Sequence, residues 1–179
     1  MDLRARIDGR LLSQIDELIP VATGNVVWGV TPLVLSCFLT EKQPPLELVV
    51  SARAVLLGQD RKVFVFDDQG GVHVLPGGRR EKDEPILAAL ARENREETGC
   101  EIVGEPRWLG FFELRNDGPR PEGHPYPYPR NYHVVFKGLA GPVTHAPVDP
   151  NVRHGRFVSP DEALALDIPW AERVFLEAI

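Results

Sequence analysis

The stretch that decides the fold of this 179-residue chain is residues 77–100, GGRREKDEPILAALARENREETGC. Residues 84–98 within it are predicted to form a helix, with Pro85 in the first turn and Gly99 just past the end. At about 100° of rotation per residue, three acidic side chains share one narrow face of this helix: Glu93, Glu96 and Glu97. Like charges at this spacing repel, so the face needs a compensating cation. Carboxylate oxygens suit Mg²⁺ or Mn²⁺, and a solvated acidic face is the alternative.

The apolar side of the same helix indicates how it packs. A stripe beside the glutamates is predicted to meet a sheet: Leu87, Leu90, Ala91, Asn94 and Thr98. Arg95 points away from this stripe, toward solvent. The glutamates therefore border the buried face at the rim of a cleft, and the glycines at 77 and 78 permit close approach of a ligand or metal. Because an unpaired buried amide is costly, we predict that the Asn94 side chain is buried and hydrogen-bonded.

The fixed positions of this stretch resemble the Nudix box. That pattern is glycine, five residues of any kind, glutamate, seven of any kind, Arg-Glu, an aliphatic residue, one of any kind, Glu-Glu, one of any kind, glycine and an aliphatic residue. Here it begins at Gly78 and ends at Cys100, and every charged and glycine position matches. It departs from the pattern at Asn94 and, mildly, at Cys100. Asp83 also stands where many members carry glycine.

Resemblance to the Nudix family implies a fold and an activity. The fold is α/β (α+β), an α/β/α sandwich around a mixed sheet, here with an N-terminal helix-plus-strand extension. The activity is metal-assisted hydrolysis of a pyrophosphate bond in a nucleoside diphosphate linked to another group, such as ADP-ribose or a nucleotide sugar. The implied ligands of Mg²⁺ (or Mn²⁺) are Glu93, Glu96, Glu97 and the carbonyl of Gly78. Glu84 and Arg92 are implied to form a supporting salt bridge.

The rest of the chain reads as strands interleaved with helices. Residues 2–18 have helical apolar spacing, with Leu3 and Ile7 in their first half, and residues 26–39 indicate two short strands or a hairpin. A proline-bearing break at 41–45 separates an extension, 1–45, from a Nudix domain, 46–179. Further elements are predicted as strands at 46–57, 62–67, 72–75, 108–114 and 132–137, a helix capped by Ser159, and a last helix at 170–179. The extension cannot bury its own apolar residues, so we expect it to pack on the domain or across a two-fold homodimer.

Candidate substrate-binding residues lie inside and outside the box. Arg79 and Arg80 are candidates for clamping a phosphate, and Arg53 on the strand that begins near residue 48 is a third. Solvated surface arginines are the alternative. Three tyrosines in or beside the proline-rich loop 116–131 are candidates for stacking on a base or ribose: Tyr126, Tyr128 and Tyr132. The alternative is a rigid loop packed on its own rings.

The general base cannot be assigned from the sequence. The Nudix family often supplies a further acid from a loop before the last strand, where Asp149 is the nearest acid here. Glu122 in the proline-rich loop is a second candidate. The five histidines, among them His73 and His133, are scattered along the chain and are treated as non-catalytic.

Composition narrows the class of protein. Twenty basic and 26 acidic residues give a net charge of -6, which disfavours a broad electrostatic contact with nucleic acid. Two cysteines, Cys37 and Cys100, are too few for a disulfide scaffold and fit a reducing cytosol. The first ten residues lack the apolar run of a signal peptide, and no stretch is apolar enough to span a bilayer. We therefore expect a cytoplasmic protein without membrane association.

Functions of different classes stay open at this point. The intact glutamate set favours a magnesium-dependent pyrophosphohydrolase that acts on a nucleotide-derived small molecule. The alternative is a catalytically silent Nudix-fold module that binds nucleotides, for example as a regulator. A Nudix-type isomerase is a third hypothesis, although no active-site cysteine can be placed from the sequence.

Overall fold

The computed structural model of the chain describes residues 9–28, 31–68 and 70–179. The helices in these ranges are α1 (Gly9–Asp16), α2 (Ile86–Thr98), α3 (Pro160–Ala165) and α4 (Trp170–Leu176). The strands are β1 (Ala22–Trp28), β2 (Thr31–Leu39), β3 (Val49–Leu57), β4 (Val63–Asp68), β5 (Gly71–His73), β6 (Gly77–Arg79), β7 (Cys100–Arg115), β8 (Arg130–Val143) and β9 (Arg153–Val158). A short 3-10 helix, Leu46–Leu48, precedes β3. None of the described helices has the length and apolar character needed to span a membrane.

The strands of the described ranges form one mixed sheet. Their order is β1-β2-β7-β8-β3-β4-β5, with β6 paired to β3 and β9 paired to β4. Strands β3 and β8 run parallel, with Arg53 opposite Val135, and the other pairs are antiparallel. The mixed sheet predicted from the family resemblance is therefore confirmed.

Helices cover both faces of this sheet. Successive residues of each strand point to opposite sides, so each strand contributes side chains to both faces. The face that carries Ala52 and Val134 packs against α2 and α1, and we call it the α2 face. The opposite face carries Val55 and Val135, packs against α3 and α4, and is called the α4 face. The layers are thus helix, sheet and helix, the α/β/α sandwich that the family resemblance implies.

The N-terminal segment is built into the same sheet. Strands β1 and β2 form an antiparallel hairpin, as expected for residues 26–39, although β1 already begins at Ala22. Strand β2 pairs with β7, and the rings of Phe38 and Phe111 stack 4.9 Å apart. Ile15 of α1 is buried in the core of the α2 face. The first half of the predicted N-terminal helix, with Leu3 and Ile7, lies outside the described residues.

The packing of α2 confirms most of the predicted apolar stripe and corrects one member. Leu90, Asn94 and Thr98 are buried, and Arg95 is exposed as predicted. Leu87 is 48% exposed, so its predicted burial is wrong. It lies in the first turn, where it lines an open surface groove together with Trp108 of β7.

Asn94 is buried and hydrogen-bonded as predicted, but only half satisfied. Its Nδ2 donates to the carbonyl of Leu90 at 2.9 Å, while its Oδ1 has no partner among the described residues. An unpaired buried oxygen costs about 1–3 kcal/mol. We expect Asn94→Leu to keep or raise the free energy of unfolding, by up to about 2 kcal/mol, when measured in urea. Asn94→Ala is the control, because its cavity should lower stability, and a loss in both variants would show that the amide stabilises the helix.

Candidate functional site

Two backbone features position the box loop and helix. Gly99 ends α2 in the left-handed conformation, with φ 71°, and its N–H donates to the carbonyl of Arg95 at 3.0 Å. Before the helix, β6 pairs with β3 and places Gly78 opposite Ala52. A β-carbon at Gly78 would overlap the carboxyl group of Glu93. Glycine at this position therefore lets the glutamate face of α2 lie directly on the strand.

Arg92 connects the loop to the helix through its whole guanidinium group. Its Nε and one Nη donate to the two carboxyl oxygens of Glu84, both at 3.0 Å, and the same Nη donates to the carbonyl of Arg79 at 2.8 Å. The other Nη donates to Glu93 at 2.8 Å and to Glu96 at 3.3 Å. The hydrogen bond from Arg92 holds the pKa of Glu84 below its usual value. Glu84 and Arg92 thus lie in the ion pair that the family resemblance implies.

Glu97 occupies a different environment from the other two glutamates. Its Oε2 accepts a hydrogen bond from the Gly77 N–H at 2.6 Å. Burial raises the pKa of this carboxyl to about 7, and the negative charges of Glu93 and Asp149 act in the same direction. The Gly77 hydrogen bond and the charge of Arg53 oppose that rise. A carboxylate held in this way gains strongly from a nearby positive charge.

The three glutamates have the oxygen chemistry that a divalent cation requires. Within the described ranges, no three Asp, Glu, His or Cys side chains converge closely enough to hold a metal ion. Arg92 lies between Glu93 and Glu96, and Glu97 is bonded to the backbone. The donor set nevertheless fits Mg²⁺ or Mn²⁺, because carboxylates next to a glycine backbone are hard oxygen ligands.

Two cavities adjoin the box, and three side chains line both: Trp28, Leu114 and His133. The larger cavity, about 510 Å³, also contains Arg53 and Glu97, and we call it the arginine cavity. The smaller cavity, about 200 Å³, also contains Tyr126 and Tyr128, and we call it the aromatic cavity. Strand β1 of the N-terminal hairpin supplies Trp28, so this segment takes part in both cavities.

The structure brings several candidate substrate-binding residues to these cavities. Arg53 lines the arginine cavity and donates to the carbonyl of Leu75 at 3.1 Å. Arg79 lines the aromatic cavity, with its guanidinium carbon 5.1 Å from the centre of the Tyr126 ring. The Tyr128 hydroxyl lines the same cavity, is buried, and has no partner among the described residues.

Two candidates are used for other purposes. The Arg80 guanidinium donates to the carbonyls of Leu46, Val49 and Glu84, so it fastens the box loop to the start of β3 instead of reaching into either cavity. Tyr132 is fully buried on the α2 face, where its ring packs edge-on against Phe111. The idea that Tyr132 stacks on a substrate is therefore wrong, because β8 alternates its side chains and turns Tyr132 away from His133.

The two acids considered as general base lie in different places. The backbone N–H of Asp149 donates to the carbonyl of Glu96 at 3.3 Å, which places Asp149 beside the end of α2. Its charge also contributes to the raised pKa of Glu97. Glu122 is an exposed residue of the proline-rich loop. Of the two, Asp149 is the acid that the structure places next to the glutamates.

Sequence reasoning missed two histidines of the cavities. His73 Nδ1 lies 2.7 Å from a carboxyl oxygen of Glu172, and its Nε2 lies 3.0 Å from Asp68. Burial opposes protonation of His73, but the hydrogen bond and charge of Glu172, together with the charge of Asp68, outweigh it and raise the pKa. His133 is the second histidine that sequence reasoning missed, and it lines both cavities. The sequence signal for both was their position in apolar strand-like runs, where a histidine stands out among valines and phenylalanines.

Comparison with known proteins links this geometry to one family. A family model described as the NUDIX domain matches residues 47–179. A search of curated proteins finds no match.

Solved structures give a consistent result for the fold. The chain is similar to a mutant of the Bacillus subtilis pyrophosphohydrolase BsRppH, with 13% identity, coverage of 70% of this chain and 72% of that chain, and a TM-score of 0.54. It is similar to a NUDIX hydrolase from Nitrosomonas europaea, with 21% identity, coverage of 72% and 86%, and a TM-score of 0.54. A MutT NUDIX hydrolase from Burkholderia pseudomallei gives 21% identity, coverage of 73% and 97%, and a TM-score of 0.52. At these identities the likeness shows the fold alone.

Proposed function

This chain belongs to the Nudix family, and from that premise we propose that it hydrolyses a pyrophosphate bond in a nucleotide-derived small molecule with the help of Mg²⁺ or Mn²⁺. The proposed substrates are nucleoside diphosphates linked to another moiety, such as ADP-ribose or a nucleotide sugar, and related nucleotides. The observation that carries the proposal is the complete box in its folded form. Arg92 bonds Glu84 with both nitrogens of one edge, and the carboxyl of Glu93 lies over Gly78.

The box residues are proposed to divide the work of metal binding. Glu93, Glu96, Glu97 and the Gly78 carbonyl would hold the cation, which neutralises charge on the phosphates and lowers the pKa of bound water. Arg92 and Glu84 would keep the helix and loop in register. Asp149, beside the end of α2, is the proposed acceptor for the proton of the attacking water.

Substrate contacts are proposed for the two cavities. Arg53 and Arg79 would bind phosphate oxygens, since guanidinium groups donate in pairs to such anions. Tyr126 and Tyr128 would contact the base or ribose through their rings. Arg80 is left out of the proposed phosphate contacts, because backbone carbonyls already occupy its donors.

Residues 1–45 are proposed to be an extension of the Nudix domain, 46–179, that also forms a homodimer. Strand β1 lies at one end of the sheet, and Val27 and Trp28 on it are 71% and 48% exposed. Within the described ranges no further strand pairs with β1 on its outer side, and an edge strand with apolar side chains favours pairing with a second copy. Sedimentation equilibrium of the wild type and of Val27→Lys tests this, because a dimer should weaken in the variant.

Incubation with a substrate panel tests the proposed activity. The panel is ADP-ribose, NADH, dinucleoside polyphosphates, nucleoside triphosphates and CoA, each with Mg²⁺, Mn²⁺ or EDTA, followed by chromatography of the products. We expect cleavage of at least one compound into two phosphate-bearing products, or into pyrophosphate and a monophosphate, only when the metal is present. Tight binding of a nucleotide with no metal-dependent product would instead favour the catalytically silent module.

A further inference from the structure

Two buried polar side chains lie opposite each other on the α4 face. Ser51 of β3 is 1% exposed, and its hydroxyl has no hydrogen-bond partner among the described residues. His133 of β8 is directly opposite Ser51 in the parallel register and is 8% exposed. Its ring contacts Trp28, with centroids 5.5 Å apart, and makes no hydrogen bond within the described ranges. Buried polar groups are normally hydrogen-bonded, so Ser51 and His133 are positioned to bond a partner that the described chain does not supply.

Two arginines flank this pair. Arg79 of β6 lies opposite Ser51, and Arg53 lies two residues along β3, on the same face. In the described part of the chain, neither guanidinium forms an ion pair with a carboxylate. Glu97 lines the same cavity as Arg53, but its Oε2 is bonded to the Gly77 N–H. Burial, with help from the charges of these arginines, lowers the pKa of His133 to about 3, so its imidazole is neutral.

Two neutral hydrogen-bond donors, Ser51 and His133, lie between two positively charged arginines, and this combination favours binding of an anion. The guanidinium groups supply charge and several N–H donors, and the hydroxyl and imidazole supply one donor each. We propose that four side chains form an anion seat, which holds a substrate phosphate group other than the one bound to metal: Arg53, Arg79, Ser51 and His133. This inference rests on the proposed function, and it adds Ser51 and His133 to the substrate contacts.

The position of the seat also indicates how a nucleotide of the proposed class would lie in the two cavities. Arg53 lines the arginine cavity, Arg79 lines the aromatic cavity and His133 lines both, so these three members of the seat lie where the cavities meet. Ser51 lines neither cavity and is buried beside His133. A phosphate in the seat places an attached group in the aromatic cavity, against Trp28 and Tyr126. The Tyr128 hydroxyl in that cavity, which has no hydrogen-bond partner among the described residues, is positioned to bond a polar edge of the group. A nucleotide of the proposed class would thus place its base in the aromatic cavity, with a hydrogen-bonding edge toward Tyr128.

Metal-free binding of inorganic pyrophosphate tests the seat without requiring hydrolysis. Calorimetry in EDTA compares the wild type with His133→Phe, which keeps a ring against Trp28 but removes both nitrogens. We expect His133→Phe to weaken binding about tenfold or more, as for loss of a hydrogen bond to a charged group. His133→Asn should restore most of it, because the amide donates. His154→Phe is the matched control, since His154 is 75% exposed, pairs with Asp67 and lines neither cavity.

Several outcomes would overturn the seat. It is wrong if the wild type does not bind millimolar pyrophosphate, or if His133→Phe binds as well as His154→Phe. Ser51→Ala, a smaller change, should also weaken pyrophosphate binding. It replaces His133→Phe as the test variant if circular dichroism shows that His133→Phe does not fold. With a true substrate, the His133 variants should raise KM more than they lower kcat. Failure of the proposed function looks different: His133-dependent binding without a metal-dependent product keeps the seat and removes the hydrolase.

Discussion

Glu97→Gln is expected to stabilise the metal-free protein above pH 7 and to lower turnover by orders of magnitude. The pKa of Glu97 is raised to about 7 in the folded state, mainly by burial. An unfolded glutamate titrates near 4.3, so the folded state binds more protons between these two pH values. The free energy of unfolding of the wild type should therefore fall as pH rises from about 4.3 to about 7. A change in pKa from about 4.3 to about 7 corresponds to about 4 kcal/mol at most.

Glutamine removes this titration while keeping the shape and the acceptor for the Gly77 N–H. Urea unfolding at pH 5 and pH 8 in EDTA should give a variant that is more stable than the wild type at pH 8, by about 1–3 kcal/mol, and similar to it at pH 5. Glu101→Gln is the control, because Glu101 is an exposed residue on β7 whose carboxyl pairs with Arg95 at 3.5 Å. Equal pH dependence in the wild type and Glu97→Gln would contradict the buried, repelled carboxylate.

The same substitution should separate the two roles of the glutamate. Mg²⁺ that binds only the folded state raises the melting temperature of the wild type, and Glu97→Gln should shrink that rise. Turnover on a true substrate should fall by about 10² or more if the carboxylate binds the metal. Retention of full activity, with no effect of Mg²⁺ on either protein, would leave the cluster as a solvated acidic face.

Local signals in the sequence predicted the elements that carry the box. Gly99 ends α2, because glycine readily adopts the left-handed φ that terminates a helix. Ser159 caps α3, where its side-chain oxygen accepts a hydrogen bond from the Glu162 N–H at 3.2 Å. The apolar stretch at 26–39 likewise indicated two short strands or a hairpin. Such features depend on residues only a few positions apart, which is why one sequence suffices for them.

Features that depend on distant parts of the chain were missed. Strand β6 has three residues and exists because it pairs with β3. The parallel pairing of β3 with β8 joins Ser51 to His133 across more than eighty residues of sequence, so no local pattern links them. The 48% exposure of Leu87 depends on how α2 sits over the sheet, which a helical wheel does not contain. The cavities therefore required the structure, whereas the glutamate face did not.

The ion pair between Glu84 and Arg92 is expected to be the largest single polar contribution to the stability of the box. Arg92 makes five hydrogen bonds, to Glu84 twice, to the carbonyl of Arg79, to Glu93 and to Glu96. The side chains of Arg92 and Glu84 are 23% and 14% exposed, so water compensates little for their loss. Arg92→Met leaves three carboxylates without their cation and should lower the free energy of unfolding by about 3–5 kcal/mol.

A double-mutant cycle shows how much of this loss belongs to the pair. Glu84→Met alone leaves Arg92 short of its main partner, whereas the double variant removes both charges together. We expect the double variant to be less destabilised than the sum of the single variants, with a coupling of about 1–3 kcal/mol in urea unfolding. Arg95→Met on the same helix is the control and should change stability by no more than about 0.5 kcal/mol, because Arg95 is exposed.

The response of these variants to Mg²⁺ tests whether Glu93 and Glu96 share a cation. If Mg²⁺ is held by Glu93 and Glu96, its charge should replace part of what Arg92→Met removes, so Mg²⁺ should raise the melting temperature of this variant more than that of the wild type. Mg²⁺ should not raise the melting temperature of Glu84→Met in this way, because Glu93 and Glu96 keep Arg92 as their cation in that variant. Strict additivity in the cycle, together with equal Mg²⁺ effects in all variants, would mean that Arg92 contributes through packing alone and that the glutamates do not share a cation.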